Sequence, residues 1–480
     1  MKKIRELKQE TKFELIFLTL VGIFLFSWAL LQPKNFSPDE AMRFQVVDYI
    51  FKYNRLPHGG DPEVMNYSYG LSYAFYPMLT YMVSYVFMKI VSIFTMDAHA
   101  LVVAARMAEV LYGVATAWFT LKIGRRFFKG AMEKMFLCLV VFLPGAFILF
   151  TYVNCDSLAL LATAMLIYSW IRGLEDQWSF KSCALVGVGV SVCALSYYNA
   201  YGVILATVVV FTLSILFCEE KRWNFKKLIT RGLFITAIFL ALAGWWYVRN
   251  YMLYDGDILG LNITTVYAEQ YAAEGMKPSQ RMTLQETPGF GVLDMLFLQP
   301  HNHQHNWMLM VYYSFLGVFG YMTVWPPEWI GKAFMVFFLV GLLGVLMQAR
   351  KLFAVREQRF TQIKMIGNSK LKVTCTYKRD RWSKRAVFHA GMLITLILPN
   401  LLNIYNSYAQ DYQPQGRYSM PMLIPLMYFM TLGIQKITAR FDRNGKAVKL
   451  VGYGMCAAMI AFWLYCYLVL LLPRFLKLVG

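Results

Sequence analysis

Apolar runs near 20 residues recur along almost the whole 480-residue chain. A helix of that length crosses the roughly 30 Å hydrocarbon core of a bilayer. Backbone polar groups in lipid must be bonded internally, so runs of this kind fold as spanning helices. The composition agrees: 58% of residues are hydrophobic and 15% charged, against about 45–50% and about 25% in a soluble domain. The reading is an all-α polytopic membrane protein of about 11 transmembrane helices, with juxtamembrane helices in the first outer loop. A soluble enzyme on a single anchor is excluded.

The net charge of +20 invites a nucleic-acid reading. The Lys and Arg, however, sit in short loops between apolar runs rather than on one face, so no nucleic-acid partner is expected. Their placement sets the topology, because basic residues near span ends stay on the cytoplasmic side. Lys2, Lys3, Arg5, Lys8 and Lys12 precede the first run, Phe13 to Leu31. That start lacks a small-x-small cleavage site and reads as a retained span with the N-terminus inside.

Gln32 to His99 then falls outside. Its apolar stretch Tyr67 to Thr95 is placed as a membrane-surface or re-entrant helix pair with an interfacial tyrosine belt, because a full span there would put Arg125, Arg126, Lys129 and Lys134 outside. Further spans are expected at Ala100 to Ile123, Met135 to Tyr152, Leu158 to Ile171, Cys183 to Tyr198, Val203 to Phe217, Leu228 to Val248, Gly331 to Met347, Ala386 to Leu402, Met420 to Ile434 and Leu450 to Leu471. A second outer loop, 249–328, contains an apolar patch, Met308 to Trp325, placed in the interface. The basic loop 348–385 is cytoplasmic. It is read as a solvated segment touching anionic lipid headgroups, the alternation of Leu371 to Tyr377 offering a small hairpin as the alternative. The chain, 1–480, shows no internal repeat and reads as a single integral-membrane domain. Its eight cysteines include no CxxC pair and are expected to be free thiols.

The polar clusters fall on the outer face under this topology. Ser37-Pro38-Asp39-Glu40 follows the first span, and it is either a capping box that starts a helix or a carboxylate positioned as general base. Asn154-Cys155-Asp156-Ser157 interrupts two apolar runs, where Asp156 either caps the next span or joins Asp39 as a second carboxylate. In Gln413-Pro-Gln415-Gly-Arg417-Tyr418, Arg417 either snorkels to the interface or grips a phosphate bidentately, with Gly416 permitting close backbone approach. Arg249 and Arg106 are further phosphate candidates. His301, His303 and His305 alternate, and an extended chain would turn three imidazoles to one side, so a divalent metal there is the one cofactor the pattern allows; a solvated loop is the other reading. No P-loop, GxGxxG or GxSxG motif is present, and no nucleotide cofactor is indicated.

Together these clusters resemble the GT-C superfamily of membrane glycosyltransferases, near the protein O-mannosyltransferase and lipid A aminoarabinose transferase branch. Phe36-Ser-Pro-Asp-Glu40 looks like its acidic motif, which implies Asp39 as catalytic base with Glu40 beside it. Tyr76-Pro77 is similar to its juxtamembrane region and Asn154-Cys-Asp156 to its second acidic position. Trp245-Trp-Tyr-Val-Arg-Asn250 with Gly256-Asp257 resembles a later outer-loop pattern, and Gln415-Gly-Arg-Tyr418 the Arg-Tyr that opens a late span. The chain departs where some relatives carry a metal-binding Glu before the juxtamembrane proline, having Phe75 and Tyr76 there. The resemblance implies transfer of a sugar from a polyprenyl-phosphate donor to an acceptor glycan, lipid or protein on the outer face of the cell membrane. Arg417 and Tyr418, with Gln415, Arg106 and Arg249, would bind the donor. A transporter or flippase, a glycan polymerase or ligase, and an inert scaffold are the rivals; acidic residues at span ends rather than mid-span favour the enzyme.

Overall fold

The structure is a computed structural model that describes residues 2–219, 222–300, 304–365, 371–442 and 444–479. Among the described residues, nine helices are long and apolar enough to cross a membrane, and a bent pair raises the number to ten. The chain is a multi-pass helical membrane protein.

The first span, α1 (Lys2–Leu31), leads into α2 (Glu40–Tyr53) and α3 (Leu79–Ser92). The stretch expected as a surface helix pair is therefore one 14-residue helix preceded by irregular chain. Its tyrosines divide: Tyr67 and Tyr69 face out, while Tyr73 and Tyr81 are buried. After α4 (Ala98–Phe127), α5 (Ala131–Val141) and the short α6 (Pro144–Phe147) form the bent pair, turning by 54° at the Leu143–Pro144 break with the 3₁₀ turn that follows. Proline at that point cannot donate to the preceding turn.

Next come α7 (Asp156–Asp176), α8 (Phe180–Ala194), α9 (Tyr201–Leu213) and α10 (Phe225–Leu253). The span expected from Cys183 to Tyr198 is shorter than proposed. Its 15 residues reach about 22 Å at about 1.5 Å per residue, because the chain leaves the helix at Leu195 for a 3₁₀ turn at Tyr198–Ala200. α8 lies parallel to α10, with Phe180 against Phe234 at one end and the Ala194 carbonyl accepting from Tyr247 at the other.

The second long connection holds α11 (Leu261–Tyr271), α12 (Val292–Phe297) and α13 (Trp307–Gly317). The patch expected to float in the interface is instead inserted: Trp307, Met310, Val311, Tyr313, Phe315 and Leu316 of α13 are buried. A helix apolar around its whole circumference has no polar face to offer water, so burial is its stable placement.

α14 (Glu328–Leu346) returns toward the other end, where α15 (Ala349–Leu352) precedes β1 (Arg356–Met365) and β2 (Leu371–Trp382). These strands pair antiparallel, so the basic connection forms the hairpin rather than an unstructured loop. α16 (Lys384–Ala409), α17 (Leu423–Phe441), α18 (Lys446–Tyr465) and α19 (Leu472–Val479) complete the bundle. α14 and α17 approach backbone to backbone, since a Cβ at Gly344 would overlap the Gly433 carbonyl. Small residues at such crossings drive helix association in lipid. Trp28 of α1, stacked at 4.7 Å on Tyr467 and 5.1 Å from Phe147, ties the first span to the last.

Candidate active site

The beginning of α2, the beginning of α7 and the turn before α17 meet at one end of the bundle, opposite the hairpin. Asp39 is the N-cap of α2, at φ 64° and ψ 2°, and its side chain makes no capping bond. The capping box read from Ser37 to Glu40 does not form: the Ser37 hydroxyl accepts from the Gln32 amide at 3.0 Å, and Glu40 accepts the Asn35 N–H at 3.0 Å. Left-handed backbone is uncommon outside glycine, although Asp tolerates it better than most residues. Here it turns the carboxylate away from its own helix toward Arg417, whose Nη2 lies 2.7 Å from Oδ2. The Asp39 side chain keeps 23% of its surface exposed, so the carboxylate remains reachable.

Burial pushes the Asp39 carboxyl up, but the Arg417 and Arg43 charges outweigh it and, with a hydrogen bond from Tyr73, hold the group below the ordinary carboxylate value. Asp39 is therefore ionised at neutral pH. It is a weak base while Arg417 stays on it and a stronger one once that guanidinium moves away.

Arg417 belongs to a 3₁₀ turn, Gly416–Met422. Its Nη2 also donates to the Tyr418 hydroxyl at 2.9 Å, which donates to Gln413 at 2.9 Å, and Gln415 donates to the same Gln413 oxygen at 3.2 Å. Gln413 in turn is fixed by Asp411, which pairs with Arg281. This chain of bonds sets the guanidinium's position but leaves its Nε and Nη1 buried without a partner. Unmade bonds of that kind cost about 1–3 kcal/mol each and are rare unless a ligand completes them. Gly416 does permit a close approach, but to this protein's own backbone: a Cβ there would strike Phe315 of α13, and its N–H donates to the Ser314 hydroxyl at 2.9 Å. A cavity of ≈ 40 Å³ beside Arg417 is bordered by Ser37, Tyr152, Ser314 and Gln415, room for about three waters.

Asp156 is not the cap of α7. Cys155 occupies that position, and the Asn154 side chain accepts the Ser157 N–H at 2.9 Å in the capping manner. The Asp156 carboxylate points instead to Arg43, 3.3 Å away, and its second oxygen is buried without a partner. Sequence reading missed Arg43. It stands one helical turn past Asp39, fully buried, with its guanidinium 4.8 Å over the Tyr73 ring and both Nε and Nη2 unpartnered. The available signal was an Arg at i+4 from the acidic motif on a short outer helix.

Three nominated residues have other work. Arg106 is fully buried and spends all its N–H groups: Nε and Nη2 grip Glu40 at 2.7 and 2.8 Å, while Nη1 and Nη2 cap the carbonyls of Ala29, Gln32 and Pro33 that end α1. Neither Arg106 nor Glu40, which is equally buried, has a bond left for substrate. Arg249 donates to the Pro57 carbonyl at 2.6 Å and lies 5.3 Å over Trp246, tying α10 to the first long connection.

The described residues offer no metal-ligand set. His301 and His303 lie outside the described residues, and the His305 ring stacks on Tyr313 at 5.2 Å. Among the described residues no three His, Cys, Asp or Glu side chains converge. The two carboxylates of the site, Asp39 and Asp156, each face a guanidinium.

No protein-family model matches the sequence, and no curated protein matches it. Solved structures do match. The Archaeoglobus fulgidus oligosaccharyltransferase in its apo form superposes with a TM-score of 0.53 at 12% identity, covering 95% of this chain and 54% of that one. The same enzyme tethered to an acceptor peptide gives 0.52 at 12%, with 94% and 54% covered. ArnT from Cupriavidus metallidurans gives a TM-score of 0.36 at 12% identity, with 93% and 78% covered. The chain shares its fold with that archaeal oligosaccharyltransferase. This chain spans about half the length of the oligosaccharyltransferase, 54%.

Proposed function

We propose that the protein transfers a sugar from a polyprenyl-phosphate donor to an acceptor hydroxyl on the outer face of the membrane. The observation that carries this reading is the Asp39–Arg417 contact. A carboxylate and a guanidinium 378 positions apart meet at the end of the bundle, one with exposed surface and the other with unmade bonds beside a cavity.

The chemistry follows from that pair. The donor's phosphate competes with Asp39 for Arg417, because a guanidinium fork fits phosphate oxygens at least as well as a carboxylate. As Arg417 changes partner, the restraint on the Asp39 carboxyl relaxes and it becomes a better base. Asp39 takes the acceptor's hydroxyl proton, the oxygen bonds to the anomeric carbon, and the carbon–oxygen bond to phosphate breaks with its electron pair going to phosphate. Arg417 is placed where that negative charge grows, and stabilisation there lowers the barrier. The walls around Ser37 and Val318–Met322 must part to admit the donor, since the cavity they border holds only water-sized contents.

The test is transfer of radiolabelled sugar from a panel of polyprenyl-phosphate sugars into lipid, protein and polymer fractions. Asp39→Asn and Arg417→Ala, at matched folded yield, are each expected to lower the rate at least about a hundredfold, the usual scale for a lost general base or charge-stabilising donor. Wild-type rates in Asp39→Asn would remove it as base. Absence of transfer from any donor would favour a transporter.

A further inference from the structure

Arg43 has no role in the step just described, yet it is a fully enclosed charge near Asp39. Asp39 lies within the electrostatic reach of both arginines, bonded to Arg417 and influenced by Arg43. The two guanidiniums share an unusual feature. Nε and Nη2 of Arg43, and Nε and Nη1 of Arg417, are buried without partners. Arg106, buried to the same degree a few residues away in space, has every N–H engaged. Among the described residues Arg43 and Arg417, beside Asp39, each leave two buried guanidinium nitrogens unpartnered, against one in Arg231 and none in Arg106.

We propose that Arg43 and Arg417 together supply the positive charge that a divalent cation would otherwise bring to the departing phosphate, so that transfer proceeds without a metal ion. This rests on the glycosyltransferase reading. The donor set supports it: in the structure each of the site's two carboxylates already faces a guanidinium, so a cation would have to displace an arginine to be ligated there. The charge balance supports it as well. A sugar phosphodiester carries one negative charge. When the bond from anomeric carbon to phosphate oxygen breaks, the phosphate monoester that leaves carries a second. In the same step the acceptor's proton neutralises Asp39. The total charge of the site is unchanged from donor to product, and what is needed is a set of N–H donors that follow the charge from carboxylate to phosphate. Arg43, one turn from Asp39 and stacked on Tyr73, is positioned to be the second half of that set.

The experiment uses the full chain in nanodiscs. Sugar transfer is measured with EDTA, and with added Mg²⁺ or Mn²⁺. Binding of farnesyl phosphate, farnesol and inorganic phosphate is measured for wild type, Arg43→Lys and the charge-neutral double variant Arg43→Gln/Asp156→Asn, which leaves no unpaired buried charge. The expected result is transfer insensitive to EDTA. Farnesyl phosphate affinity should fall about tenfold or more in the double variant and in Arg43→Lys, on the scale of a lost charge-assisted bond, while farnesol binding stays unchanged.

Transfer abolished by EDTA and restored by Mn²⁺ would overturn the inference while leaving the glycosyltransferase reading intact. So would wild-type farnesyl phosphate affinity in the double variant. Inorganic phosphate binding as tightly as farnesyl phosphate would put a free anion, not a lipid headgroup, in the site. Transfer from no donor at all would sink the glycosyltransferase reading and this step with it.

Discussion

Single residues divide into those that build the site and those that use it, and the division separates neighbours in sequence. Asp39 and Glu40 are adjacent, yet Glu40 is enclosed with Arg106 while Asp39 pairs with Arg417 and keeps part of its surface exposed. Breaking the enclosed pair should therefore be a stability lesion. Glu40→Gln leaves the Arg106 charge buried without a counter-charge, and a loss of about 3–5 kcal/mol is expected, read as a lowered unfolding midpoint in detergent. Asp39 behaves differently with pH. Its folded-state pKa lies below the unfolded one, so its pairing stabilises the protein fully above the unfolded value and is lost as pH falls through the folded value. Wild type and Asp39→Asn should differ in unfolding midpoint by a constant amount from pH 7 down to about pH 5 and converge as pH falls below the ordinary Asp pKa of about 3.9. The sequence exposed Asp39 and Arg417 because each sits in a polar break between apolar runs. Arg43 escaped notice because its partner, Asp156, is 113 positions away, and no local pattern announces such a pair.

At the scale of elements, the long apolar runs could be read directly because lipid enforces their length. Those that differed from expectation are shorter segments whose placement depends on neighbours. α13 looked like an interfacial patch until α6 and the turn Gly416–Met422 gave it a socket, with Gly145 and Gly416 both packed against its backbone. The β1–β2 hairpin followed from an alternation that competed with a strong basic, solvated character. The crossing of α14 and α17 offers a direct test of packing. Gly344→Val would drive a side chain into the Gly433 backbone, and overpacking of this kind costs about 1–3 kcal/mol or more; reduced folded yield on size-exclusion chromatography is the expected readout.

For the whole molecule, the decisive quantity is which ends of the helices lie together. Leu31, Asp156, Ala194 and Gly416 all end or begin helices near Asp39, while the hairpin and the turn between α17 and α18 lie at the other end. If the basic end is cytoplasmic, single cysteines at Ser279 and Asn444, both exposed, should report opposite sides. A membrane-impermeant maleimide on intact cells is expected to label Ser279→Cys and spare Asn444→Cys until the membrane is opened; the reverse pattern would invert the topology. The native background is low where it is described, since seven cysteines are buried. What the sequence determined by itself is the solvent: recurrent apolar runs separated by basic loops leave a chain no choice but a multi-pass bundle, because unpaired backbone groups are intolerable in lipid. It also marked the polar breaks where chemistry is possible. Which of those breaks meet was decided only by the tertiary structure. Contacts such as Asp39 with Arg417 and Asp156 with Arg43 depend on how helices far apart in sequence pack, and that packing is set by the shapes of many side chains at once rather than by any local pattern.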